Sequence, residues 1–147
     1  MKRIASLVVA IGLAACATPA PQAASPVVEP LPPMPGSAAM NEIFDGKALR
    51  VILCGTSAPL PDPARAKSCT IVVAGDKAYV IDTGPESWEQ VQRMQFAGAK
   101  IAAIFITHFH SDHIGDLGEF RMQTMVAGRQ QMLPVYGPHG IKPVVNG

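Results

Sequence analysis

Four side chains of metal-binding type stand within six consecutive residues, directly after the most apolar run of the folded region. That run covers residues 101–107, and because it is short and ends abruptly in polar residues it predicts a buried strand. His108, His110, Asp112 and His113 follow it. Imidazole nitrogens and carboxylate oxygens are ligands for zinc and similar divalent ions. The pattern therefore predicts a metal site at the C-terminal end of a strand.

The spacing of these residues predicts two metal positions. Alternate side chains of an extended segment point the same way, so His108 and His110 can bind one ion from one side. Asp112 and His113 are neighbours and would point apart on extended backbone, but a turn into a helix would let both reach a second ion. Two ions roughly 3.5–4 Å apart can clamp a reacting phosphoryl, sulfuryl or acyl group. The alternative is a surface loop that merely happens to be rich in histidine.

The rest of the folded region alternates strand and helix patterns. Strands are predicted over residues 49–54, 69–74, 77–81 and 132–136, and helices over about 86–97 and 116–127. Residues 55–67 are a proline-punctuated loop, and Gly75-Asp76 predicts a hairpin. This order indicates an α/β (α+β) domain whose catalytic loop follows the C-terminal end of a strand.

The first 40 residues have the composition of a leader and a tether. An apolar stretch that follows Lys2 and Arg3 is too short to span a bilayer comfortably, so residues 1–16 are predicted to be an export signal. Its end, Leu13-Ala14-Ala15-Cys16, resembles the bacterial lipobox, in which the cysteine is lipidated; the alternative is an ordinary signal peptide. Residues 17–40 hold seven of the 14 prolines, which predicts an extended linker. The expectation is a bacterial lipoprotein anchored to the membrane through Cys16 and facing the periplasm.

Charge disfavours nucleic acid as a partner. The chain has 12 Lys+Arg and 11 Asp+Glu, and removal of Lys2 and Arg3 with the signal leaves 10 against 11. No basic run remains, whereas phosphate-backbone binding needs clustered positive charge.

Two of the three cysteines flank the predicted loop. Cys54 ends one predicted strand and Cys69 begins the next. They could form a disulfide in an oxidising compartment, or pack as two small buried thiols, and the sequence leaves both open.

Residues 107–115 (Thr-His-Phe-His-Ser-Asp-His-Ile-Gly) resemble the HxHxDH signature of the metallo-β-lactamase superfamily. Residues 55–68, from Gly-Thr-Ser to Ser68, look like the first loop of its ribonuclease Z and arylsulfatase branch. Ile-Asp-Thr-Gly at 81–84 resembles the acidic motif that supports the metal loop, and Val-Tyr-Gly-Pro at 135–138 resembles the strand and turn after the first metal helix. The resemblance covers residues 49–147. It implies an αββα sandwich of two mixed sheets with helices outside, of which residues 41–147 are the N-terminal half.

The resemblance also implies roles for individual residues. His108 and His110 would bind metal one, and Asp112 and His113 metal two, with zinc as the first candidate for both. Asp112 would also shuttle a proton. Asp82 would hold a ligand imidazole by its other nitrogen, the alternative being a helix-capping aspartate.

The implied activity is hydrolysis of an ester-like bond by hydroxide held between two divalent metal ions. Export and the lack of a basic arm favour a small sulfate, phosphate, carboxylic ester or lactone as substrate. Arg65 could orient its anionic group, although a solvated loop arginine is favoured, and His139 is not expected to be a ligand. The alternatives are a non-catalytic metal-binding lipoprotein and a ribonuclease Z-like phosphodiesterase.

The family completes its site with a further His, a bridging Asp and a late His that match no residue of this chain. We therefore interpret the sequence as the first half of a longer enzyme, and we expect residues 41–147 alone to be inactive and to leave one sheet face without its covering layer.

Overall fold

A computed structural model describes residues 42–146. The predicted signal peptide, the lipidation site at Cys16 and the linker lie outside the described residues. Among residues 42–146, none of the helices has the length and apolarity needed to cross a bilayer.

Five strands form one mixed sheet in the described part of the chain, in the order β1-β2-β3-β4-β5. They are β1 (Arg50–Gly55), β2 (Cys69–Ala74), β3 (Lys77–Ile81), β4 (Ile101–Phe105) and β5 (Val135–Tyr136). Strand β2 runs antiparallel to both of its neighbours, β1 and β3, whereas β3, β4 and β5 run parallel to one another. Gly75, at φ +65°, makes the turn of the predicted β2–β3 hairpin. The parallel pairing places the C-terminal ends of β3 and β4 side by side, where Ile81 pairs with Phe105.

Within residues 42–146, four helices accompany the sheet, besides a helical residue pair at 42–43. They are α1 (Ser87–Arg93), α2 (Ser111–Ile114), α3 (Leu117–Val126) and α4 (Ile141–Asn146), with a 3₁₀ turn at Gly98–Lys100. The predicted helix over 86–97 is too long, because Gln95 takes a left-handed conformation (φ +50°) and the chain then turns the buried Phe96 into the core. The helix predicted over 116–127 is confirmed to within a residue.

One face of the sheet carries the core. Ile71, Val80 and Ile104 are completely buried there, and they belong to the same apolar cluster as residues of α1 and α3. Trp88 of α1 meets Phe120 of α3 edge to face, with ring centroids 5.0 Å apart. These contacts hold the helices against the strands that position the His-rich segment.

The opposite face is open among the described residues. Val51, Leu53, Phe105 and Tyr136 are 40–61% exposed, and the Phe105 and Tyr136 rings stack with centroids 5.1 Å apart. The prediction that one sheet face is left uncovered is confirmed along β1, but it is wrong for most of β4, where Ile101 and Ile104 are buried and Phe105 is exposed.

Candidate metal centre

The His-rich segment changes conformation at His110. The backbone of His110 is extended (φ −67°, ψ 147°), and α2 begins at the next residue. His108 and His110 therefore lie on the non-helical segment that follows β4, whereas Asp112 and His113 lie on the helix. The turn required for Asp112 and His113 to act together is confirmed.

All four predicted ligands lie in one cluster. The ring centroid of His108 is 4.5 Å from that of His110 and 4.0 Å from that of His113. His113 Nε2 lies 3.5 Å from Asp112 Oδ2, and Asp112 is only 8% exposed. The structure thus joins the two predicted pairs through His108 and His113.

Asp82 anchors this cluster to the sheet. It is the first residue after β3, is 3% exposed, and has a left-handed backbone conformation (φ +59°) that few non-glycine residues adopt. The Thr107 amide donates to Asp82 Oδ1 over 2.8 Å, and His113 Nδ1 lies 2.7 Å from Asp82 Oδ2. With Nδ1 so engaged, His113 presents Nε2 to the cluster.

The helix-capping alternative for Asp82 is wrong. The carboxylate at the start of α1 belongs to Asp116, whose Oδ2 accepts a hydrogen bond from the Trp88 amide over 3.2 Å. Burial raises the pKa of the Asp116 carboxyl above its ordinary value, against the opposing effect of that hydrogen bond. No local sequence pattern indicates this role, since Asp116 and Trp88 are 28 residues apart.

The loop after β3 holds α2 in place by its backbone. The Thr83 amide donates to the His113 carbonyl over 2.7 Å, and the Asp116 amide donates to the Thr83 carbonyl over 2.8 Å. A Cβ atom at Gly84 would lie 2.2 Å from the carbonyl oxygen of Asp112. Only glycine permits the loop and α2 to approach this closely.

Thr107 contacts both Asp82 and His108, a role that the signature motif alone does not predict. Its hydroxyl oxygen lies 2.9 Å from Asp82 Oδ2, 3.1 Å from Asp82 Oδ1 and 3.0 Å from His108 Nδ1. The sequence feature that could have indicated this role is its position between a buried strand and the first histidine.

Arg65, the candidate for orienting an anionic substrate, and His139, the fourth histidine, lie on exposed loops. The Arg65 guanidinium pairs with Asp62, with Nη2 and Oδ2 2.7 Å apart. Two hydrogen bonds lower the pKa of the Asp62 carboxyl. The larger effect comes from the Ala64 amide and the smaller from the Arg65 side chain. His139 is exposed on the turn before α4.

Cys54 and Cys69 form a disulfide with Cα atoms 5.0 Å apart, so the alternative of two free thiols is wrong. Both cysteines are buried. The bond closes the loop over residues 55–68, whose last residues pack on the Asp82 loop: Gly84 donates to the Ser68 carbonyl over 2.9 Å, and Lys67 donates to the Pro85 carbonyl over 3.0 Å.

The donor types fit divalent metal ions, but they do so as pairs. Within residues 42–146, no group of three or more His, Cys, Asp or Glu side chains is arranged to hold one ion. His108 with His110, and Asp112 with His113, supply two ligands each, and zinc takes imidazole and carboxylate donors of these kinds. The described residues therefore fit part of a two-metal site.

Comparisons with known proteins agree with this fold and motif. Residues 62–129 match the family model of the metallo-beta-lactamase superfamily. Ribonuclease Z of Mycobacterium bovis is 37% identical over 100 residues, which cover 66% of this chain and 36% of that protein. The chain thus spans about a third of the length of the curated relatives it matches.

Solved structures give the same result. The short form of human tRNase Z superposes with a TM-score of 0.58 and 28% identity, over 65% of this chain and 36% of that one. The metallo-beta-lactamase fold protein YhfI from Bacillus subtilis shares the fold, with a TM-score of 0.58 and 24% identity over 67% of this chain and 40% of its own. The predicted resemblance to the superfamily and to ribonuclease Z is confirmed, and that to arylsulfatases stays a prediction.

Proposed function

We propose, from the match of residues 62–129 to the family model of the metallo-beta-lactamase superfamily, that the protein is a metal-dependent hydrolase of ester-like bonds. The observation that carries the proposal is the contact chain from His110 through His108 and His113 to Asp112, tied to the sheet by Asp82. Nothing in an ordinary surface loop requires a buried carboxylate to hold an imidazole beside two others.

The chain's own residues would bind and orient two divalent ions. His108 and His110 would hold the first and Asp112 and His113 the second, with zinc as the first candidate. When bound, such ions activate water and polarise the bond under attack. Asp82 keeps His113 in the tautomer that presents Nε2. Asp112, which has two carboxylate oxygens, can hold the second ion by one and accept or release a proton at the other.

The similarity to ribonuclease Z supports phosphodiesters as the first substrates to test. Against a large RNA substrate stands the charge of the chain, 12 Lys+Arg against 11 Asp+Glu with no basic run. We therefore favour a small phosphodiester or phosphate monoester, followed by sulfate, carboxylic ester and lactone.

The test is hydrolysis of bis(p-nitrophenyl) phosphate, p-nitrophenyl phosphate, p-nitrophenyl sulfate, p-nitrophenyl acetate and a lactone, with zinc or manganese added. It uses the gene product that contains these residues, beside the same protein with Asp112→Ala. We expect phosphodiester turnover that requires metal and is abolished by the substitution. Metal binding without turnover on any substrate would favour the non-catalytic metal-binding protein instead.

The 147-residue chain by itself serves as a second arm. Its described residues supply about two ligands per ion, so the metals lack fixed geometry and we expect turnover below about 1 s⁻¹. Faster hydrolysis that Asp112→Ala abolishes would show that the described ligands suffice.

We further propose that the protein is exported and anchored to the bacterial membrane through Cys16. The Cys54–Cys69 disulfide supports this, because disulfides persist in oxidising compartments such as the periplasm. Cells fed a palmitate analogue should label the wild-type protein, and Cys16→Ser should remove the label. Equal labelling of both, or a cytoplasmic product without label, would refute the anchor.

A further inference from the structure

Thr107 contacts both the anchoring carboxylate and a predicted metal ligand. Its amide donates to Asp82 Oδ1 over 2.8 Å, which fixes the position of the residue. Its hydroxyl oxygen lies 2.9 Å from Asp82 Oδ2 and 3.0 Å from His108 Nδ1, with His113 Nδ1 farther away at 3.5 Å. The Thr107 hydroxyl thus stands between the carboxylate and the imidazole.

Proton counting assigns the direction of each hydrogen bond. A carboxylate only accepts, and a hydroxyl has one proton to donate and two lone pairs to accept with. The Thr107 proton therefore goes to Asp82, which leaves only lone pairs facing His108. His108 must then carry its proton on Nδ1 and present the lone pair of Nε2.

We propose that Thr107 is a positioning residue, whose hydroxyl extends the hold of Asp82 to His108 and sets the tautomer of that imidazole. Asp82 contacts His113 directly over 2.7 Å. One buried carboxylate thereby orients one imidazole from each predicted metal pair: His113 by contact, and His108 through Thr107. This inference rests on the proposed function, because the orientation of these imidazoles serves metal binding. The hydrogen bonds themselves need no metal.

A packing role does not account for Thr107. The residue is exposed and is absent from the apolar core, so its methyl group fills no buried space. Thr107→Val keeps the branched shape and removes only the hydroxyl, whereas Thr107→Ser keeps the hydroxyl and removes the methyl group. Thr70→Val, on the open face of β2 opposite Ile81, makes the same chemical change at a residue that is not among the hydrogen-bond partners of Asp82.

The test reads the tautomer directly by ¹⁵N NMR of the histidine side chains in the metal-free chain, at about pH 8, above the ordinary histidine range. We expect His108 to be protonated on Nδ1 in the wild type, in Thr107→Ser and in Thr70→Val. Thr107→Val should shift it toward a tautomer mixture while His113 keeps its Nδ1 proton. An unchanged His108 signal in Thr107→Val would overturn the proposal.

Zinc titration gives the second readout. Loss of an outer hydrogen-bond partner lowers metal affinity by about 10–100-fold. We expect that loss in Thr107→Val, with recovery in Thr107→Ser; equal loss in both variants would contradict a role for the hydroxyl. If the tautomer results hold but the wild-type chain binds no zinc, the proposed function fails and the positioning role of Thr107 stands. If Thr107→Val unfolds the chain, Thr107→Ser still tests the proposal. It must fold and keep His108 protonated on Nδ1, and a changed tautomer in that variant would overturn the proposal.

Discussion

Breaking the Cys54–Cys69 disulfide should destabilise the domain by about 3 kcal/mol. The two cysteines are 15 residues apart in sequence, and the loop-closure model assigns about 3 kcal/mol at 25 °C to a loop of that size. For a domain of this length, each kcal/mol corresponds to roughly 4–8 °C in Tm, so we expect Tm to fall by about 12–24 °C.

Thermal unfolding of three samples measures this effect: the oxidised chain, the same chain in reductant, and Cys54→Ala/Cys69→Ala. The reduced chain and the double variant should have the same Tm, since both lack the cross-link. Alkylation with peptide mapping should find Cys54 and Cys69 protected from alkylation in the oxidised chain and alkylated in the reduced chain. A Tm that reductant leaves unchanged, or free thiols at both positions in the oxidised chain, would refute the argument.

Gly84→Ala tests the loop that holds α2, and Gly118→Ala serves as its control. Gly84→Ala should destabilise the chain by about 1–3 kcal/mol and weaken zinc binding, because the added Cβ would meet the Asp112 carbonyl oxygen at 2.2 Å. Gly118→Ala, in α3 with open space around its Cβ, should instead stabilise by about 0.5–1 kcal/mol; equal Tm values for the two variants would contradict the steric argument. The raised folded-state pKa of Asp116 means that the folded state binds its proton more tightly, so this carboxyl's contribution to stability falls as pH rises from its ordinary pKa through the raised one. Asp116→Asn should remove that part of the pH dependence in denaturant titrations, and an unchanged pH profile would refute it.

Local patterns were enough to predict the strands next to the site. The runs at 69–74 and 77–81 are bounded by turn residues and rich in β-branched side chains, and β2 and β3 have those bounds. The clustering of the four predicted ligands was also predictable, because their identity and spacing are set within six residues of chain, whereas metal binding by them stays a prediction.

The hydrogen-bond network around these residues depends on strand pairing that no local sequence pattern contains. Asp82 meets Thr107 and His113 only because β3 and β4 run parallel with Ile81 opposite Phe105. The disulfide likewise depends on the antiparallel register that sets Gly55 opposite Cys69. Helix α1 ends early for a tertiary reason as well, since Phe96 turns into the core and packs on Phe44 with ring centroids 5.6 Å apart.

The most direct test of the metal site is a calorimetric zinc titration of the chain, beside His108→Ala/His110→Ala and His139→Ala. The predicted result is zinc binding that the double variant weakens by more than about tenfold, and that the loss of the exposed His139 leaves unchanged. Equal, weak binding by the wild type and the double variant would contradict the assignment of these histidines as metal ligands.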